Sequence, residues 1–188
     1  MRRFGERQLL VATHNAGKLD EMRALLAPYG IEVLGASAAG LPEPAETEDS
    51  FLGNARIKAR AAMEATGLPA LADDSGICVD ALDGAPGVYT ADWAETGNGR
   101  DFGMAMERVQ RELDARTAPQ PRQAQFRCTL VLIWPDGHEE AFEGVLPGRV
   151  VWPPRGADGH GYDPIFQPDG SEQTMAEMTP EQKNSLSH

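Results

Sequence analysis

The segment QLLVATHNAGKLDEMRALL, residues 8–26, passes from an apolar run into a pattern of helical period. Gln8 to Thr13 has the composition of a short buried strand, and a turn at Gly17 follows it. The apolar residues beyond that turn recur at helical spacing: Leu19, Met22, Leu25 and Leu26. The sequence therefore predicts a strand, a loop and a helix in that order.

The rest of the chain continues this mixture of patterns. Helical spacing predicts two further helices, at Phe51 to Ala65 and from Phe102 to Leu113. Strand-like runs occur at Ile31 to Leu34, at Leu71, at Ile77 to Leu82, and in a hairpin of Phe126 to Trp134 and Glu139 to Val145 joined by Pro135 to His138. Helices combined with a hairpin predict an α/β fold with a mixed sheet.

The length and charge of the chain limit its class. Its 188 residues suit one domain with a core, so we expect residues 1–188 to form a single domain. The formal net charge of −12 disfavours nucleic acids as partners, although a small phosphate ligand is compatible if a divalent cation offsets the field. No apolar run approaches the roughly 20 residues that span a bilayer, and no signal peptide is recognisable. We therefore expect a cytoplasmic protein with no membrane partner.

The predicted loop Thr13 to Lys18 has the composition of a phosphate-binding turn. It lies between a strand and the start of a helix, where N–H groups and the helix dipole favour anions. Gly17 permits close backbone approach, Thr13 and Asn15 can donate hydrogen bonds, and Lys18 adds a positive charge. The spacing differs from that of a Walker loop, so a plain connection is the alternative.

Adjacent carboxylates, Asp73 and Asp74, begin the polar run Asp73 to Gly76, which we interpret as a turn. Further acidic residues lie upstream: Glu43, Glu46, Glu48 and Asp49. Adjacent carboxylates at the end of an apolar strand repel each other unless a hard cation or hydrogen-bond donors compensate. Mg²⁺ typically takes one or two carboxylates. The run predicts either a magnesium site or a solvated acidic turn.

A third polar cluster, His160 to Pro164, lies in a stretch rich in Gly and Pro that we interpret as a loop from Pro147 to Pro168. An aromatic ring such as that of Tyr162 could stack on a base, while Asp163 accepts hydrogen bonds from the edge of the base. A packing role for Tyr162 is the alternative.

The last residues carry a strong helix start. Thr179 is a good N-cap, Pro180 suits the first helical position, and Gln182 completes a capping box. No stop signal precedes His188, so we expect a chain truncated within this helix.

In order, these clusters resemble those of the RdgB/HAM1 family of inosine triphosphate pyrophosphatases. The resemblance spans nearly the whole chain and rests on Thr13 to Lys18, Phe51 to Ala59, Ala72 to Gly76, Gly84 to Gly87, His160 to Pro164 and Gln182 to His188. It implies an elongated mixed β-sheet with flanking helices, two lobes around a central nucleotide cleft, and a homodimer. It also implies Mg²⁺-dependent hydrolysis of ITP, dITP and XTP to the monophosphate and pyrophosphate, which cleanses the nucleotide pool.

The resemblance assigns roles to matching residues. Asp74 is expected to be the general base and a metal ligand, with Glu46 and Asp73 supporting the metal and Glu43 a rival for Glu46. Thr13, Asn15 and Lys18 are expected to hold the phosphates, with Lys58 as a helper. His14, Ala16 and Gly17 are expected among the substrate-binding residues. The remaining contacts, chiefly to the base, are assigned to Ser75, His160, Gly161, Tyr162, Asp163, Lys183 and His188.

Two departures from the family pattern bear on base recognition. His160 stands where the family commonly carries a large aromatic residue, so we expect weaker stacking. The family continues Ser-His with an Arg and a C-terminal helix, so a chain that ends at His188 is expected to recognise the base less well and to be less stable.

Two other functions fit the same residues. A non-catalytic purine-nucleotide-binding protein would hold the phosphates without activating water. A pyrophosphatase for modified pyrimidine nucleotides would share the chemistry but not the base. The enzyme hypothesis depends on one piece of geometry, which is that the Thr13 to Lys18 loop and the Asp73–Asp74 pair face one another across a cavity sized for a triphosphate.

Overall fold

A six-stranded sheet organises the computed structural model, which describes residues 1–188. Its strands are β1 (Gln8–Val11), β2 (Glu32–Gly35), β3 (Ala70–Val79), β6 (Arg122–Ile133), β7 (Glu139–Val150) and β8 (Phe166–Pro168), in the order β2-β1-β3-β6-β7-β8; β4 (Glu95–Thr96) and β5 (Gly99–Arg100) form a separate pair. Strand β1 runs parallel to β2 and β3, whereas β8 runs antiparallel to β7. The predicted mixed α/β fold is confirmed.

Four α-helices accompany the sheet: α1 (Ala16–Leu26), α2 (Phe51–Thr66), α3 (Phe102–Ala115) and α4 (Pro180–Leu186). Each begins at a side chain that accepts a hydrogen bond from the third helical N–H: Asn15, Ser50, Asp101 and Thr179. The capping box predicted for α4 is present. None of the helices combines the length and apolar character needed to cross a membrane.

The chain divides into two compact units. The first comprises Met1–Asp74 and Thr129–Glu143, and the second comprises Ser75–Cys128 and Gly144–His188. Small residues of α2 pack on the sheet of the first unit: Ala55, Ala59 and Ala62 lie against Leu10, Ala70, Ala72 and Val131. The second core contains larger side chains: Ile77, Val109, Leu113, Tyr162, Ile165 and Phe166. Each unit therefore buries its own apolar cluster.

Helices α1 and α2 cover opposite faces of the sheet in the first unit. Leu10 and Ala72 pack in the cluster that contains α2, whereas Val11 and Leu71 pack in the cluster that contains Leu19 of α1. Successive residues of a strand point to opposite faces, which gives each helix its own set of strand side chains.

The turn predicted at Asp73 to Gly76 is wrong, because β3 continues through it from Ala70 to Val79. Burial alternates along this part of the strand, with Ala72 and Asp74 buried and Asp73 half-buried. Asp, Ser and Gly are typical turn residues, and the sequence pattern follows that preference. In the folded protein, strand pairing and partial burial override local propensity.

The loop predicted from Pro147 to Pro168 is wrong at both ends. Strand β7 continues to Val150, and β8 pairs with it, with Gly148 opposite Pro168 and Val150 opposite Phe166. A Cβ at Gly148 would overlap the Gln167 carbonyl oxygen, so the glycine allows the strands to approach. Gly and Pro in this stretch mark a close strand contact rather than a loop.

An ion pair between α2 and β7 provides a test of the first unit. The Arg56 guanidinium donates to both oxygens of Glu139 at 2.7–2.9 Å, and this bond lowers the pKa of Glu139. A carboxyl whose pKa is lowered by folding contributes stability above its unfolded pKa and loses it as the pH falls through the folded pKa. Because the Arg56 side chain is 40% exposed, solvent screens the pair.

We expect Arg56→Met to lower the free energy of unfolding by about 0.5 kcal/mol at pH 7. The difference from wild type should disappear below the pKa of Glu139, where the carboxyl is protonated in both proteins. Urea unfolding at pH 7 and at acidic pH measures both values. A deficit that persists at acidic pH would show that Arg56 acts through packing of its stem instead.

Candidate active site

The register of β1 against β3 brings the predicted phosphate loop to the paired aspartates. Leu10 and Val11 pair with Ala70 and Leu71, and the Ala12 N–H donates to the Leu71 carbonyl at 2.8 Å. Strand β1 ends at Val11, two residues earlier than predicted, whereas β3 continues into Asp73 and Asp74. The loop therefore leaves the carboxyl end of a parallel strand, where ligands of α/β sheets commonly bind.

The loop itself is organised by its own side chains. Asn15 Oδ1 accepts from the Lys18 N–H at 3.2 Å and caps α1, while Thr13 Oγ1 accepts from the Asn15 N–H at 3.1 Å. A Cβ at Gly17 would lie 3.2 Å from Asn15 Oδ1, so the glycine leaves room for this cap. His14 Nδ1 lies 3.2 Å from the Ser37 hydroxyl. The helix start is thus formed with its N–H groups directed to the loop.

Asp73 and Asp74 each have a lysine partner. Lys18 Nζ lies 2.6 Å from Asp73 Oδ2, and Lys58 Nζ lies 3.9 Å from Asp74 Oδ1. As neighbours in a strand, the two carboxylates project to opposite faces, toward α1 and α2 respectively. This arrangement offsets the repulsion that is expected between adjacent carboxylates, because each of the two charges has its own cation. The Lys18–Asp73 contact places the loop beside the aspartate pair, and the expected cavity for a triphosphate between them stays a prediction.

Lys58 is the most enclosed cation of the first unit's site. Its side chain is 13% exposed, and its Nζ lies 2.5 Å from Glu46 Oε1 in addition to its contact with Asp74. The Asp74 side chain is only 9% exposed. The ammonium therefore joins two carboxylates that are distant in sequence.

A pocket of about 140 Å³ adjoins Lys58. Its polar lining consists of His14, Glu43 and Lys58, and its remaining walls are apolar. Glu46 and Glu43 were the two alternatives for the acid that supports the metal. Glu46 pairs with Lys58, whereas Glu43 lines this pocket.

The donor set fits a magnesium ion better than a closed metal cage. No three His, Cys, Asp or Glu side chains converge as a ready-made metal site. Glu46 and Asp74 share one cation, whereas Asp73 binds Lys18 on the other face of β3. Mg²⁺ commonly takes one or two carboxylates and completes its shell with water and phosphate oxygens. Two carboxylates that already hold a cation suit that coordination.

The second unit contains residues that were predicted to contact the base, namely Lys183 of α4 and the loop His160 to Asp163. Lys183 Nζ lies 3.3 Å from Asp163 Oδ2, and the same oxygen accepts from the His160 N–H at 3.0 Å. Gly159 has φ +102°, and a Cβ there would overlap Asp163 Oδ2 and lie 2.6 Å from Lys183 Nζ. The carboxylate therefore ties the loop to α4.

Tyr162 lies in the core of the second unit. It is 1% exposed, and its hydroxyl donates to the Thr90 carbonyl at 2.8 Å. Burial raises the pKa of this phenol. The Phe102 ring packs edge-on against it at 5.7 Å between centroids. These contacts match the packing alternative, and the predicted contact of Tyr162 with a nucleotide stays a prediction.

Thr90 is a residue that the sequence did not single out. Its hydroxyl donates to the Gly87 carbonyl at 2.6 Å and accepts from the Ile77 N–H at 3.0 Å, while its carbonyl binds Tyr162. The residue thus joins β3, the Gly84 to Gly87 segment and the Tyr162 loop. A lone Thr beyond a glycine-rich segment gives no sequence signal of this role.

Two remaining predicted residues lie elsewhere in the second unit. Ser75 is half-buried on β3, directly after Asp74. The His188 ring stacks on Phe126 with 5.5 Å between centroids, and a Cβ at Gly144 would overlap the His188 carbonyl. The role of His188 at the base stays a prediction.

The three lysines of the chain share one feature. Each of Lys18, Lys58 and Lys183 pairs with a carboxylate that the sequence analysis had assigned to the site. Lysine is a compact charge suited to phosphate binding, and the other ion pairs of the chain use arginine or His138. All three lysines of this acidic protein therefore lie at the predicted site.

Comparison with known proteins identifies the family of the chain. The sequence profile of the Ham1 family matches residues 9–188. A dITP/XTP pyrophosphatase of Ruegeria pomeroyi is 67% identical over 187 residues, covering 100% of this chain and 92% of that protein. One of Zymomonas mobilis is 54% identical, covering 100% of this chain and 88% of that protein.

Solved structures agree as well. A HAM1 protein from Coxiella burnetii is 36% identical with a TM-score of 0.91, covering 97% of this chain and 92% of that one. A nucleoside-triphosphatase, a dITP/XTP pyrophosphatase from Mycobacterium abscessus, is 39% identical with a TM-score of 0.81, covering 96% and 94%. Profile, sequence identity and fold agree across nearly the whole length, and the chain belongs to the Ham1 family.

Proposed function

We propose that this protein hydrolyses nonstandard purine nucleoside triphosphates, namely ITP, dITP and XTP, to the monophosphate and pyrophosphate. The observation that carries the proposal is the pairing of Lys18 with Asp73 and of Lys58 with Asp74 beside a capped helix start. The Ruegeria and Zymomonas relatives, both dITP/XTP pyrophosphatases, support the substrate class.

The phosphate-binding part of the proposal uses the first unit. Lys18 and Lys58 offset the charge of the triphosphate, which the net charge of −12 would otherwise repel. The α1 start, capped by Asn15, offers N–H groups and a favourable dipole to the phosphate oxygens. Thr13 and the backbone at Gly17 complete the cradle. The carboxylates that hold the lysines keep both ammonium groups in place before substrate arrives.

Asp74 is the proposed general base. It orients a water molecule and accepts its proton as the water oxygen bonds to the α-phosphorus. The bond from that phosphorus to the bridging oxygen breaks, and pyrophosphate leaves with the bridging oxygen. Glu46 and Asp74 are the carboxylates that would hold Mg²⁺, with Asp73 in support through Lys18. When bound, this ion neutralises charge on the phosphate oxygens.

The base-binding part of the proposal uses the second unit. Lys183 and the loop His160 to Asp163 recognise the 6-keto purine through hydrogen bonds, with Ser75 and His188 as further contacts. A site built to bond a keto oxygen rejects adenine because a buried donor is then left unpaired, at about 1–3 kcal/mol per group. The Asp163 carboxylate fixes the Lys183 ammonium for that contact.

An assay of product identity tests the proposal. Incubation with ITP, dITP or XTP and Mg²⁺ should give monophosphate and pyrophosphate in equal amounts, with far slower turnover of ATP. Release of orthophosphate would replace the proposal by an ordinary nucleoside triphosphatase. Binding without turnover would leave the non-catalytic nucleotide-binding alternative. Faster hydrolysis of modified dUTP or dCTP analogues would move the substrate class to pyrimidines.

We also infer the assembly and the metal from the family resemblance. Light scattering should give twice the chain mass of 20.3 kDa if the protein is a homodimer. Activity lost on chelation should return with Mg²⁺ and not with Na⁺. A monomer, or activity indifferent to chelation, would refute the corresponding inference.

Gly159 provides a test of the base-binding loop. We expect Gly159→Ala to raise the KM for XTP about tenfold with little change in kcat, because the new Cβ displaces Asp163 and Lys183 and strains a left-handed residue. Gly170→Ala is the matched control, since Gly170 has φ +78° and open space around a Cβ. Steady-state kinetics of both variants measure the effect. Equal changes in the two variants would attribute it to backbone strain alone.

A further inference from the structure

Asn54 is a buried polar residue near the start of α2 and has no part in the proposed catalytic or binding steps. It is 2% exposed, and its Oδ1 accepts a hydrogen bond from the Glu48 N–H at 3.0 Å. A buried amide is retained at little cost only where its hydrogen bonds are made. Its partner is the backbone of the acidic segment Glu46 to Glu48, which precedes the helix.

Gly53 brings that segment close to the helix. A Cβ at Gly53 would lie 2.6 Å from Glu48 Cβ and 2.7 Å from Glu48 Cγ, far inside van der Waals contact. The Glu48 side chain therefore packs directly on the helix backbone at the position where Gly53 lacks a side chain. The segment is fixed by contact with Gly53 as well as by its bond to Asn54.

Lys58 lies four residues beyond Asn54, and residues at that spacing share one face of a helix. Its Nζ binds Glu46 at 2.5 Å and lies 3.9 Å from Asp74. The same face of α2 thus contacts the acidic segment twice, through the Glu48 backbone at Asn54 and through the Glu46 carboxylate at Lys58. Two attachment points two residues apart fix the position of this segment along the helix.

We propose that Asn54 is a positioning residue that sets the register of the Glu46 to Glu48 segment on α2 and so places the Glu46 carboxylate beside Lys58 and Asp74. This inference rests on the proposed function for its catalytic consequence. Glu46 is on an irregular segment, which by itself would leave its carboxylate free to move. Small displacements of a group that binds a metal or substrate reduce rates strongly, by up to about 10²-fold for roughly 1 Å.

The test compares Asn54→Ala with Ser50→Ala. Ser50 caps the same helix through the Gly53 N–H but makes no bond to Glu48, so its loss costs stability alone, about 1 kcal/mol. We expect Asn54→Ala to reduce kcat/KM at least about tenfold and to raise the Mg²⁺ concentration for half-maximal activity. Ser50→Ala should change both by less than about twofold.

A double-mutant cycle separates positioning from general destabilisation. In a Glu46→Gln background, Asn54→Ala should have little further effect on kcat/KM, because the group that it positions is already altered. Gly53→Ala, which keeps Asn54 but displaces Glu48, should reproduce the Asn54→Ala kinetics and serves if Asn54→Ala fails to fold. The proposal would be overturned if Asn54→Ala and Ser50→Ala lowered kcat/KM equally. It would also be overturned if Asn54→Ala lowered kcat/KM as much in the Glu46→Gln background as in wild type.

Hydrogen exchange of the Glu48 amide provides a measurement independent of activity. The amide should be protected in wild type and in Ser50→Ala, and should exchange faster in Asn54→Ala. Fast exchange in wild type would overturn the positioning proposal even if the enzyme hydrolyses XTP. A protected amide in an enzyme that hydrolyses no purine triphosphate would refute the proposed function and leave the positioning of Glu46 intact.

Discussion

Asp74→Asn is expected to reduce hydrolysis of XTP by about 10³-fold while leaving nucleotide affinity within a few-fold of wild type. The amide cannot accept the proton of the attacking water, and it is a poorer ligand for a hard cation than a carboxylate. Lys18, Lys58 and the α1 start remain for the phosphates, so binding persists. Pyrophosphate release measures turnover, and calorimetric titration with a non-hydrolysable analogue measures affinity.

Asp80→Asn is the matched control for this experiment. Asp80 is an exposed carboxylate directly after the same strand, six residues beyond Asp74. The control should retain turnover, which shows that loss of one negative charge is harmless in itself. Full activity of Asp74→Asn would remove Asp74 from the mechanism and would require another base.

Lys58→Met is expected to lower both activity and stability. The thioether keeps the length of the stem but leaves Glu46 and Asp74 without the ammonium that lies between them. Removing one partner of a buried pair costs about 3–5 kcal/mol, and the 35% exposure of the Glu46 side chain reduces the expected loss to about 2 kcal/mol. Turnover should fall about 10²-fold, because one phosphate-binding charge is lost.

Added Mg²⁺ distinguishes this explanation from a packing defect. Two neighbouring carboxylates that have lost their ammonium partner should bind the ion more tightly, so Mg²⁺ should raise the Tm of Lys58→Met more than that of wild type. Arg60→Met, an exposed cation on the same helix, is the control and should behave as wild type. Equal Mg²⁺ responses in all three proteins would show that Glu46 and Asp74 do not hold the ion.

Local sequence patterns were sufficient where local physics dominates. The β1–loop–α1 order follows from apolar period and the turn at Gly17, and α4 follows from the capping box of Thr179 and Gln182. The hairpin of β6 and β7 follows from alternating residues around a short turn, although both strands are longer than predicted. These signals act between residues a few positions apart, so the sequence contains them.

Non-local contacts account for the errors. Asp73 to Ser75 have the composition of a turn, yet β3 passes through them. The neighbouring strand pairs with β3, and lysines from two different helices compensate the charges of Asp73 and Asp74. Only the contacts of Tyr162 with Phe102 and the Thr90 carbonyl place its ring in the core, and its predicted contact with a nucleotide stays a prediction. Neither partner is close to its target in sequence.

The sequence by itself determined the mixed α/β class, the helix starts and the identity of the acids and lysines at the candidate site, because period, capping and residue chemistry are properties of short segments. Only the tertiary structure decided which lysine meets which carboxylate, which upstream acid reaches Lys58, and that Asn54 holds the segment bearing it. Those outcomes depend on strand register and on side-chain reach across tens of residues, which a linear pattern does not encode.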